Sequence, residues 1–311
     1  MEPTTSPAST ISHRTSTRIS DDVATKELAA QIADRLRQAE QLVLPLDETL
    51  DILDQLQEFE LGRFLLHNRG LNGYWTSYIF RNAPEGPVTP LEHWLLNDSL
   101  LCQARERYHR FKEEIAGRIT EGAALASIPC GVMDDLLQQD YSGVEDFRIV
   151  GIDIDEESVA YARENAEQRG LSAHTEFEVR DAWKLGVDGE FDLIVSNGLN
   201  MYESDPQRLT DLYRSFHQAL RPGGRLLLSF LTPPPPPPWV APEHAAAWEK
   251  YDIPEADLRR ELSIMGDIVQ VTYLNFSAED EVRAQLEAAG FTVQAVRYNA
   301  GGVLPIVTAV K

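Results

Sequence analysis

The chain has 311 residues, with 28 basic against 50 acidic residues, a formal net charge of -22 and 43% hydrophobic residues. This length and apolar content can fill one α/β domain with an elaboration, or two modest domains. An acidic surface repels polyanions, so nucleic acid and anionic membranes are disfavoured as partners, although a local basic patch is compatible with this charge.

Apolar runs and cysteines narrow the class further. No apolar run reaches the roughly 18 residues of a membrane-spanning helix, and the N-terminus has no hydrophobic signal core. Cys102 and Cys130 form no CxxC pair and no Cys/His cluster at zinc spacing. We therefore expect a cytoplasmic protein without a metal site or a membrane anchor.

The N-terminal third predicts a tail and a helical section. Residues 1–20 are rich in Ser and Thr, and they predict a disordered tail rather than a transit peptide because they have little to bury. Residues 21–121 predict a helical cap: apolar positions recur at helical spacing over 21–54 and again over a long helix at 91–119. Between them, residues 61–80 are unusually aromatic and contain the turn dipeptide Asn72-Gly73.

From residue 122 onward short strands alternate with helices, a pattern typical of a parallel sheet with crossover helices. We therefore expect one domain over 122–311, interrupted by an insertion over 231–276. That insertion contains Pro233 to Pro238, which predicts a stiff, extended connector or a partner-binding segment. The predicted strands are 124–129, 148–153, 176–180, 191–196, 224–230, 291–297 and 304–310. The predicted helices are 132–139, 156–168, 206–220 and 278–289.

The second strand ends on an acid. Residues 148–152 are short and rich in β-branched side chains, as a strand buried on both faces should be, and Asp153 follows them. Asp155 is placed to cap the next helix, which Gly170 ends. A carboxylate at this mouth of a parallel sheet either holds a ribose diol or only starts the turn.

Five segments occur in a fixed order: ALASIPCGVMDDLL, IVGIDID, EVRDAWKL, FDLIVSNGLN and LRPGGRLLLSF. Together they resemble the class I S-adenosylmethionine-dependent methyltransferases, over about 123–230 and again at the AAGF segment 288–291. This resemblance implies a doubly wound, mostly parallel seven-stranded sheet of order 3-2-1-4-5-7-6, with ligand across the carboxyl ends of its strands. It also implies S-adenosylmethionine as cofactor.

The loop after the first strand departs from that family. The family usually has GxGxG here, whereas this chain has Pro129-Cys130-Gly131-Val132-Met133 and keeps only the middle glycine. Close backbone approach is therefore expected at Gly131 alone, with Pro129 and Met133 in ordinary φ regions. Cys130 is read as a backbone contact rather than a nucleophile, because no matching base is visible.

The next two residues, Asp134 and Asp135, discriminate between cofactors. A dinucleotide would place its pyrophosphate on this helix N-terminus, where two carboxylates repel it. S-adenosylmethionine carries a sulfonium and an ammonium and no phosphate. The sequence thus disfavours NAD.

The resemblance assigns the nucleoside contacts. Asp153, with Ile154 beside it, matches the acid that bridges both ribose hydroxyls. Asp181 matches the residue that accepts from the adenine amino group, with a backbone contact at Ala182 and packing of Trp183 near the base. A surface turn is the alternative for Asp181.

The resemblance also assigns the reacting end. Asn197 and Gly198 match positions that line the methionine portion, and Asn200 and Tyr202 would face the transferred methyl. The Asn/Asp-Pro-Pro-aromatic pattern of methyltransferases acting on DNA amines or glutamine amides is absent. Tyr202 packs in the core in an alternative interpretation.

Methyl transfer is an in-line displacement, so alignment and exclusion of water are the main tasks of the protein. A general base is needed only for an acceptor that is protonated near neutral pH. His67 and His244 are the candidates, each with a packing or exposed role as the alternative.

Two aromatic residues of the 61–80 segment, Tyr74 and Trp75, are further candidates for cofactor or acceptor contact. We expect roughly the first 120 residues and 231–276 to form a lid over the site, and a helical core stripe is the alternative for either aromatic.

We thus predict a monomeric or homodimeric methyltransferase acting on a small organic acceptor. A protein methyltransferase reading a basic peptide is one alternative. A catalytically silent S-adenosylmethionine-binding or scaffold protein is another, suggested by the reduced glycine loop and the proline run.

Overall fold

The computed structural model describes residues 22–83, 86–248, 253–271, 275–299 and 301–311. The predicted tail over 1–20 lies outside these ranges. Seven strands form one sheet, and their bounds are β1 Ala123–Ser127, β2 Phe147–Asp153, β3 Thr175–Val179, β4 Phe191–Ser196, β5 Leu220–Ser229, β6 Thr292–Arg297 and β7 Ile306–Val310.

The sheet has the order β3-β2-β1-β4-β5-β7-β6. The first five strands pair in parallel, and β7 runs antiparallel to both of its neighbours. The predicted class, order and mostly parallel pairing are confirmed. β1 and β2 are buried along most of their length, which explains their continuous apolar sequence.

Three neighbouring strands end side by side and create the edge where a ligand can bind. Ser127 of β1 pairs with Gly151 of β2 and with Val195 of β4. The chain beyond each strand therefore enters the same space, at the point where the strand order reverses.

Helices cover both faces of the sheet. The helical bounds are α1 Asp22–Gln38, α2 Leu46–Leu56, α3 Glu60–Asn68, α4 Gly73–Phe80, α5 Pro90–Leu96, α6 Ser99–Ala116, α7 Asp134–Leu137, α8 Glu156–Gln168, α9 Pro206–Ala219, α10 Ala245–Trp248, α11 Glu255–Leu262 and α12 Glu279–Ala288, with a π-helical turn at Ser263–Ile268. One apolar cluster joins α9 and α12 to one face, and another joins α7, α8 and the end of α6 to the opposite face. In the described residues, no helix is both long and apolar enough to cross a membrane.

A third apolar cluster joins the N-terminal helices to the insertion. Side chains of α1 to α5 pack together with Ile264, Ile268 and Val269 of the segment after β5. Arg35 of α1 also donates to the carbonyl oxygens of Asp267 and Ile268, at 2.8 and 2.6 Å. The two segments predicted to form a lid therefore contact each other directly.

The predicted long helix over 91–119 is wrong in one respect, because it is two helices, α5 and α6. Asp98 has an extended backbone, and its side chain accepts from the Leu101 amide at 2.9 Å, so it caps a new helix. The apolar period continues across this break, which hid it. The dipeptide Asn97-Asp98 before Ser99 is the N-terminal signal that reveals it.

Candidate active site

A cavity of about 590 Å3 lies at the carboxyl ends of β1, β2 and β4, under helix α4. The predicted cofactor-binding residues of the sheet side all line it: Pro129, Cys130, Gly131, Asp153, Ile154, Asp181, Ala182, Trp183, Asn197 and Gly198. Their contacts with a cofactor stay a prediction, but the fold does bring them to one place.

Asp153 ends β2 with its carboxylate buried and held by the backbone. One oxygen accepts from the Gly131 amide at 2.9 Å, and the other accepts from the Asp155 amide at 3.1 Å. Burial raises the pKa of Asp153, and the two amide donors oppose that rise. Each oxygen keeps a free lone pair, so the carboxylate can still accept from two hydroxyl groups of a ligand.

Asp155 begins the following helix, as the sequence indicates. Its carboxylate accepts from the amides of Glu157 and Ser158 at 3.3 and 3.2 Å, and from the Ser158 hydroxyl at 2.6 Å. This capping satisfies the first amides of α8 and fixes the turn after Asp153.

The loop after β1 corrects one expectation. Met133 has φ 60°, in the left-handed region, and not the ordinary φ that the sequence analysis predicted. Its side chain is buried, and a Cβ at Gly151 would lie 3.0 Å from the Met133 sulfur. Burial of this side chain against β2 holds the unfavourable backbone conformation that turns the chain into α7.

Gly131 serves a close approach of two backbones. It has φ 50°, and a Cβ there would lie 3.2 Å from the Gly73 Cα. The reverse substitution is tighter, because a Cβ at Gly73 would lie 2.6 Å from the Gly131 Cα. The remaining glycine of the loop thus lets the start of α4 rest on the site.

Cys130 is a buried thiol next to this contact. Burial raises its pKa well above the ordinary value, and the nearby carboxylate of Asp153 adds to the effect. The thiol is therefore neutral near pH 7 and is a poor nucleophile.

Asp134 and Asp135 are buried in the wall of the cavity. Asp134 accepts from Ser77 of α4, and from the side chains of Gln138 and Asn165 at 2.7 and 3.2 Å. Asp135 accepts from the Ser127 hydroxyl at 3.0 Å, and burial raises its pKa to about 6. These carboxylates favour a cationic ligand over a phosphate at this side of the cavity.

The base-binding side is built on Asp181 and Trp183. One Asp181 oxygen accepts from the Trp183 amide at 2.9 Å, and the other lies 3.9 Å from the Lys184 ammonium. The Trp183 indole donates to the Arg208 carbonyl at 2.8 Å, and the Arg208 guanidinium lies 5.1 Å from the indole ring centre. The ring is thus fixed beside the cavity.

After β4 the chain offers an unpaired acceptor. The Asn197 side-chain oxygen is buried and has no hydrogen-bond partner among the described residues. Gly198 follows with φ 101° and leaves that part of the wall without a side chain. A ligand ammonium would supply the donor that Asn197 lacks.

Of the two residues expected at the transferred methyl, one lines the cavity. Tyr202 does so, and burial raises the pKa of its phenol. Asn200 instead points into the core, where its amide donates to the Tyr213 hydroxyl at 3.2 Å. The 3-10 turn Leu199–Tyr202 places the two side chains on different sides, which the linear sequence did not reveal.

Three other candidates lie away from the cavity, and the side chain of a fourth is not described. His67 is half-buried, with its Nε2 at 3.0 Å from the Thr25 hydroxyl, and it is not part of the cavity wall. His244 belongs to the 3-10 turn Pro242–His244, and its side chain lies outside what the structure describes. Neither Tyr74 nor Trp75 lines the cavity: Trp75 is buried in the N-terminal cluster, and Tyr74 packs against Tyr161.

Helix α4 thus presents its other face to the cavity, through Gly73, Thr76, Ser77 and Phe80. These positions recur at the three- and four-residue spacing of one helical face. That spacing in the sequence could have predicted which face of α4 lines the cavity. The prediction chose Tyr74 and Trp75 because they are aromatic, and they lie on the opposite face.

The strand order, the acid at the end of β2 and the cavity across the strand ends define a nucleoside-binding α/β protein. The acidic wall and the absence of a phosphate-binding glycine loop favour a nucleoside without phosphates.

A family model described as a methyltransferase domain matches residues 129–251. The ubiquinone/menaquinone biosynthesis C-methyltransferase UbiE of Azotobacter vinelandii is 32% identical over 142 residues, which are 45% of this chain and 54% of that protein. Phosphoethanolamine N-methyltransferase 1 of Arabidopsis thaliana is 38% identical over 85 residues, which are 27% of this chain and 16% of that protein. The chain thus spans 54% of the length of the first of these curated relatives and 16% of the second.

A solved structure described as a possible exported protein from Bordetella parapertussis is 35% identical, with a TM-score of 0.85, and the match covers 96% of this chain and 97% of that one. The description of that structure names no family, so the family rests on the methyltransferase-domain match and on the sheet order. The chain belongs to the class I S-adenosylmethionine-dependent methyltransferases, which use S-adenosylmethionine as the methyl donor.

Proposed function

We propose that the protein transfers the methyl group of S-adenosylmethionine to a small organic acceptor. When bound, the cofactor would supply a methyl carbon on a cationic sulfur, which an acceptor nucleophile displaces in line as the neutral thioether of S-adenosylhomocysteine. The chain's own residues bind the nucleoside, orient its reactive end and exclude water. Methyl transfer needs little more from the protein when the acceptor is already deprotonated.

One observation carries this proposal: a single cavity joins Asp153 and Asp181 to the unpaired Asn197 oxygen. Carboxylates after β2 and β3 suit ribose hydroxyls and an amino group. An orphaned acceptor after β4 suits an ammonium. These are the polar groups of S-adenosylmethionine, in the order in which a nucleoside cofactor would lie across the sheet.

The size and cover of the cavity support a small acceptor. Its volume of about 590 Å3 is within the usual range for small-molecule sites. Phe80 of α4 and Tyr108 of α6 line it from the N-terminal section, and their rings stack with centres 4.6 Å apart. This arrangement supports residues 21–121 as a cap on a domain over 122–311. The packing of Ile264, Ile268 and Val269 against helices of that cap supports 231–276 as part of it. Limited proteolysis with and without S-adenosylhomocysteine would test this division.

The direct test is transfer of tritium from S-adenosyl-[methyl-3H]methionine to a panel of small phenols, amines, thiols and carboxylic acids. We expect labelled product from at least one small acceptor, with S-adenosylhomocysteine formed in equal amount. Transfer to basic peptides alone would indicate a protein methyltransferase. Cofactor binding without transfer to either class would indicate a silent binding protein.

We also propose a cytoplasmic location and a monomeric or homodimeric state. The free thiols of Cys102 and Cys130 support a reducing compartment, whereas the Bordetella parapertussis protein is described as possibly exported. Cell fractionation tests the location, and light scattering during size-exclusion chromatography tests the assembly.

A further inference from the structure

Arg107 of helix α6 is a buried cation without a counter-ion in the described part of the chain. Its residue is 6% exposed. One guanidinium nitrogen lies 3.8 Å from the Met201 sulfur, and the guanidinium carbon lies 6.0 Å from the centre of the Phe80 ring. Its Nε has no hydrogen-bond partner, and none of the ion pairs between described residues includes Arg107.

Such a group is costly to bury. A charge removed from water loses its hydration free energy, and an ion pair or several hydrogen bonds normally compensate for that loss. Burial lowers the pKa of Arg107 to about 10, which still leaves it protonated at neutral pH. The guanidinium therefore keeps its charge and lacks the oxygen acceptors that its planar fork fits.

The guanidinium lies against the wall of the cavity on the β4 side. Phe80, Gly198 and Tyr202 all line the cavity, and all three neighbour Arg107. A Cβ at Gly198 would lie 3.7 Å from the Arg107 Nη1. Arg107 itself is not among the residues that line the cavity, but Gly198 places no side chain in front of its guanidinium.

This end is also where an acceptor must sit. Asn197 and Gly198 follow β4 at the position assigned to the reactive end of the cofactor. In the proposed function, the acceptor's nucleophile therefore approaches from the part of the cavity that Tyr202 and Phe80 line.

Two carboxylates, Glu203 and Asp205, also line the cavity on this side. Glu203 pairs with Arg208, and Asp205 accepts from the first amides of α9. The carboxylates after β1 and β2 lack such a cationic partner among the described residues, and they would repel an anion from that side.

We propose that Arg107 binds an oxyanion group of the methyl acceptor, either a carboxylate or a phosphate, so that the protein selects acidic acceptors. This inference rests on the proposed function, because it names the substrate class of the same cavity. Arg107 is then a specificity residue: it fixes one end of the acceptor while the nucleophile at the other end reaches the methyl.

Small probes test this without knowledge of the acceptor. Acetate, inorganic phosphate and the neutral acetamide are titrated into the wild-type protein saturated with S-adenosylhomocysteine, at constant ionic strength. We expect saturable binding of at least one anion and none of acetamide. The preferred anion then tells a carboxylic acid from a phosphate ester.

Variants assign the binding to the residue. Arg107→Gln should weaken anion binding by about tenfold or more, because charge-assisted hydrogen bonds are lost, and Arg107→Lys should keep part of it. Arg110→Gln is the matched control: Arg110 is on the same helix, pairs with Glu106 at the surface and should behave as wild type. The affinity for S-adenosylhomocysteine should stay within about twofold in all three variants.

A measurement on the wild type covers a failure of Arg107→Gln to fold. In protein labelled with 15N-arginine, the Nε–H signal of Arg107, assigned by its loss in Arg107→Lys, should shift with acetate or phosphate and not with acetamide. Absence of anion binding, or anion binding unchanged in Arg107→Gln, would overturn this inference while leaving the methyltransferase intact. Failure to bind S-adenosylhomocysteine at all would instead count against the proposed function.

Discussion

The two sides of the cavity differ in how their charges are satisfied. On the β2 side, Asp153 and Asp155 each accept backbone amides. On the β4 side, the Asn197 oxygen and the Arg107 Nε are buried without partners among the described residues. On the β2 side the protein itself supplies hydrogen-bond donors to the carboxylates, whereas on the β4 side a ligand can supply the missing hydrogen-bond partners.

The β2 side is therefore preorganised before a ligand binds, whereas the β4 side gains hydrogen-bond partners only when a ligand binds. A carboxylate fixed by two amides presents its remaining lone pairs in one direction at no further cost in ordering. An unpaired amide oxygen and an unpaired guanidinium raise the free energy of the empty site, and a matching ligand recovers that free energy.

Asp153→Ala should weaken binding of S-adenosylhomocysteine by about 2–3 kcal/mol, roughly 30- to 150-fold, because a charged acceptor is lost. The loss includes the Gly131 amide that this carboxylate holds. Isothermal titration measures the affinity, with the exposed Asp188→Ala as control. An unchanged affinity in Asp153→Ala would show that the ribose contact is misassigned.

Gly73→Ala tests the contact of the cap with the cofactor loop. A methyl group 2.6 Å from the Gly131 Cα must push two backbones apart, so we expect about 1–3 kcal/mol of lost stability or cofactor affinity. Gly117→Ala is the control, because a Cβ there meets no atom within 4 Å. If both variants melt and bind alike, the close approach of Gly73 and Gly131 has no energetic role.

Asp181→Ala should cost less, about 1 kcal/mol or roughly fivefold, since this carboxylate is partly exposed. Its specific signature is a comparison of S-adenosylhomocysteine with S-inosylhomocysteine, which has an oxygen in place of the adenine amino group. The wild type should prefer the adenosine form, and Asp181→Ala should lose that preference. A preference that survives the substitution would argue for the surface-turn alternative.

The smallest expected effect on ligand binding comes from pH, which acts mainly on the stability of the helix that carries Arg107. At its N-terminus, burial raises the pKa of Asp98 to about 7, and burial beside Asp98 raises the pKa of Glu261 of α11 to about 8. Both values lie above those of an unfolded chain, near 4. The folded state therefore binds more protons than the unfolded state, and stability falls as pH rises from about 4 to about 8.

Asp98→Asn and Glu261→Gln remove these titrations, and asparagine keeps an acceptor for the Leu101 amide. The melting temperature of either variant should fall less than that of the wild type between about pH 5 and 9. Affinity for S-adenosylhomocysteine should follow the pH much more weakly, because α6 lies on the acceptor side. Parallel melting curves for wild type and both variants would refute the shared buried acid pair.

Local sequence signals predicted the sheet and its β2 side well. The strand over 191–196 and the helix over 156–168 have the bounds of β4 and α8, because apolar runs and caps specify such elements locally. The positions of Asp153 and Asp181 at strand ends follow from the same patterns together with the family resemblance.

The acceptor side was less predictable, because it depends on contacts between distant segments. Asn200, in a 3-10 turn, donates a hydrogen bond to Tyr213 of α9. Trp75 is buried in the apolar cluster of the N-terminal helices. Nothing in the sequence indicated that Arg107 is buried, because it lies in a charged helix, where arginine is ordinarily exposed to solvent. Only the packing of α6 against the end of β4 shows that its guanidinium is buried and unpaired.

Isothermal titration of the wild-type protein with S-adenosylmethionine and with S-adenosylhomocysteine tests most directly whether this cavity binds the methyl donor. We expect one binding site per chain for each ligand, with the same residues binding both. Absence of binding to both ligands, in folded protein, would show that the cavity is not a site for this cofactor.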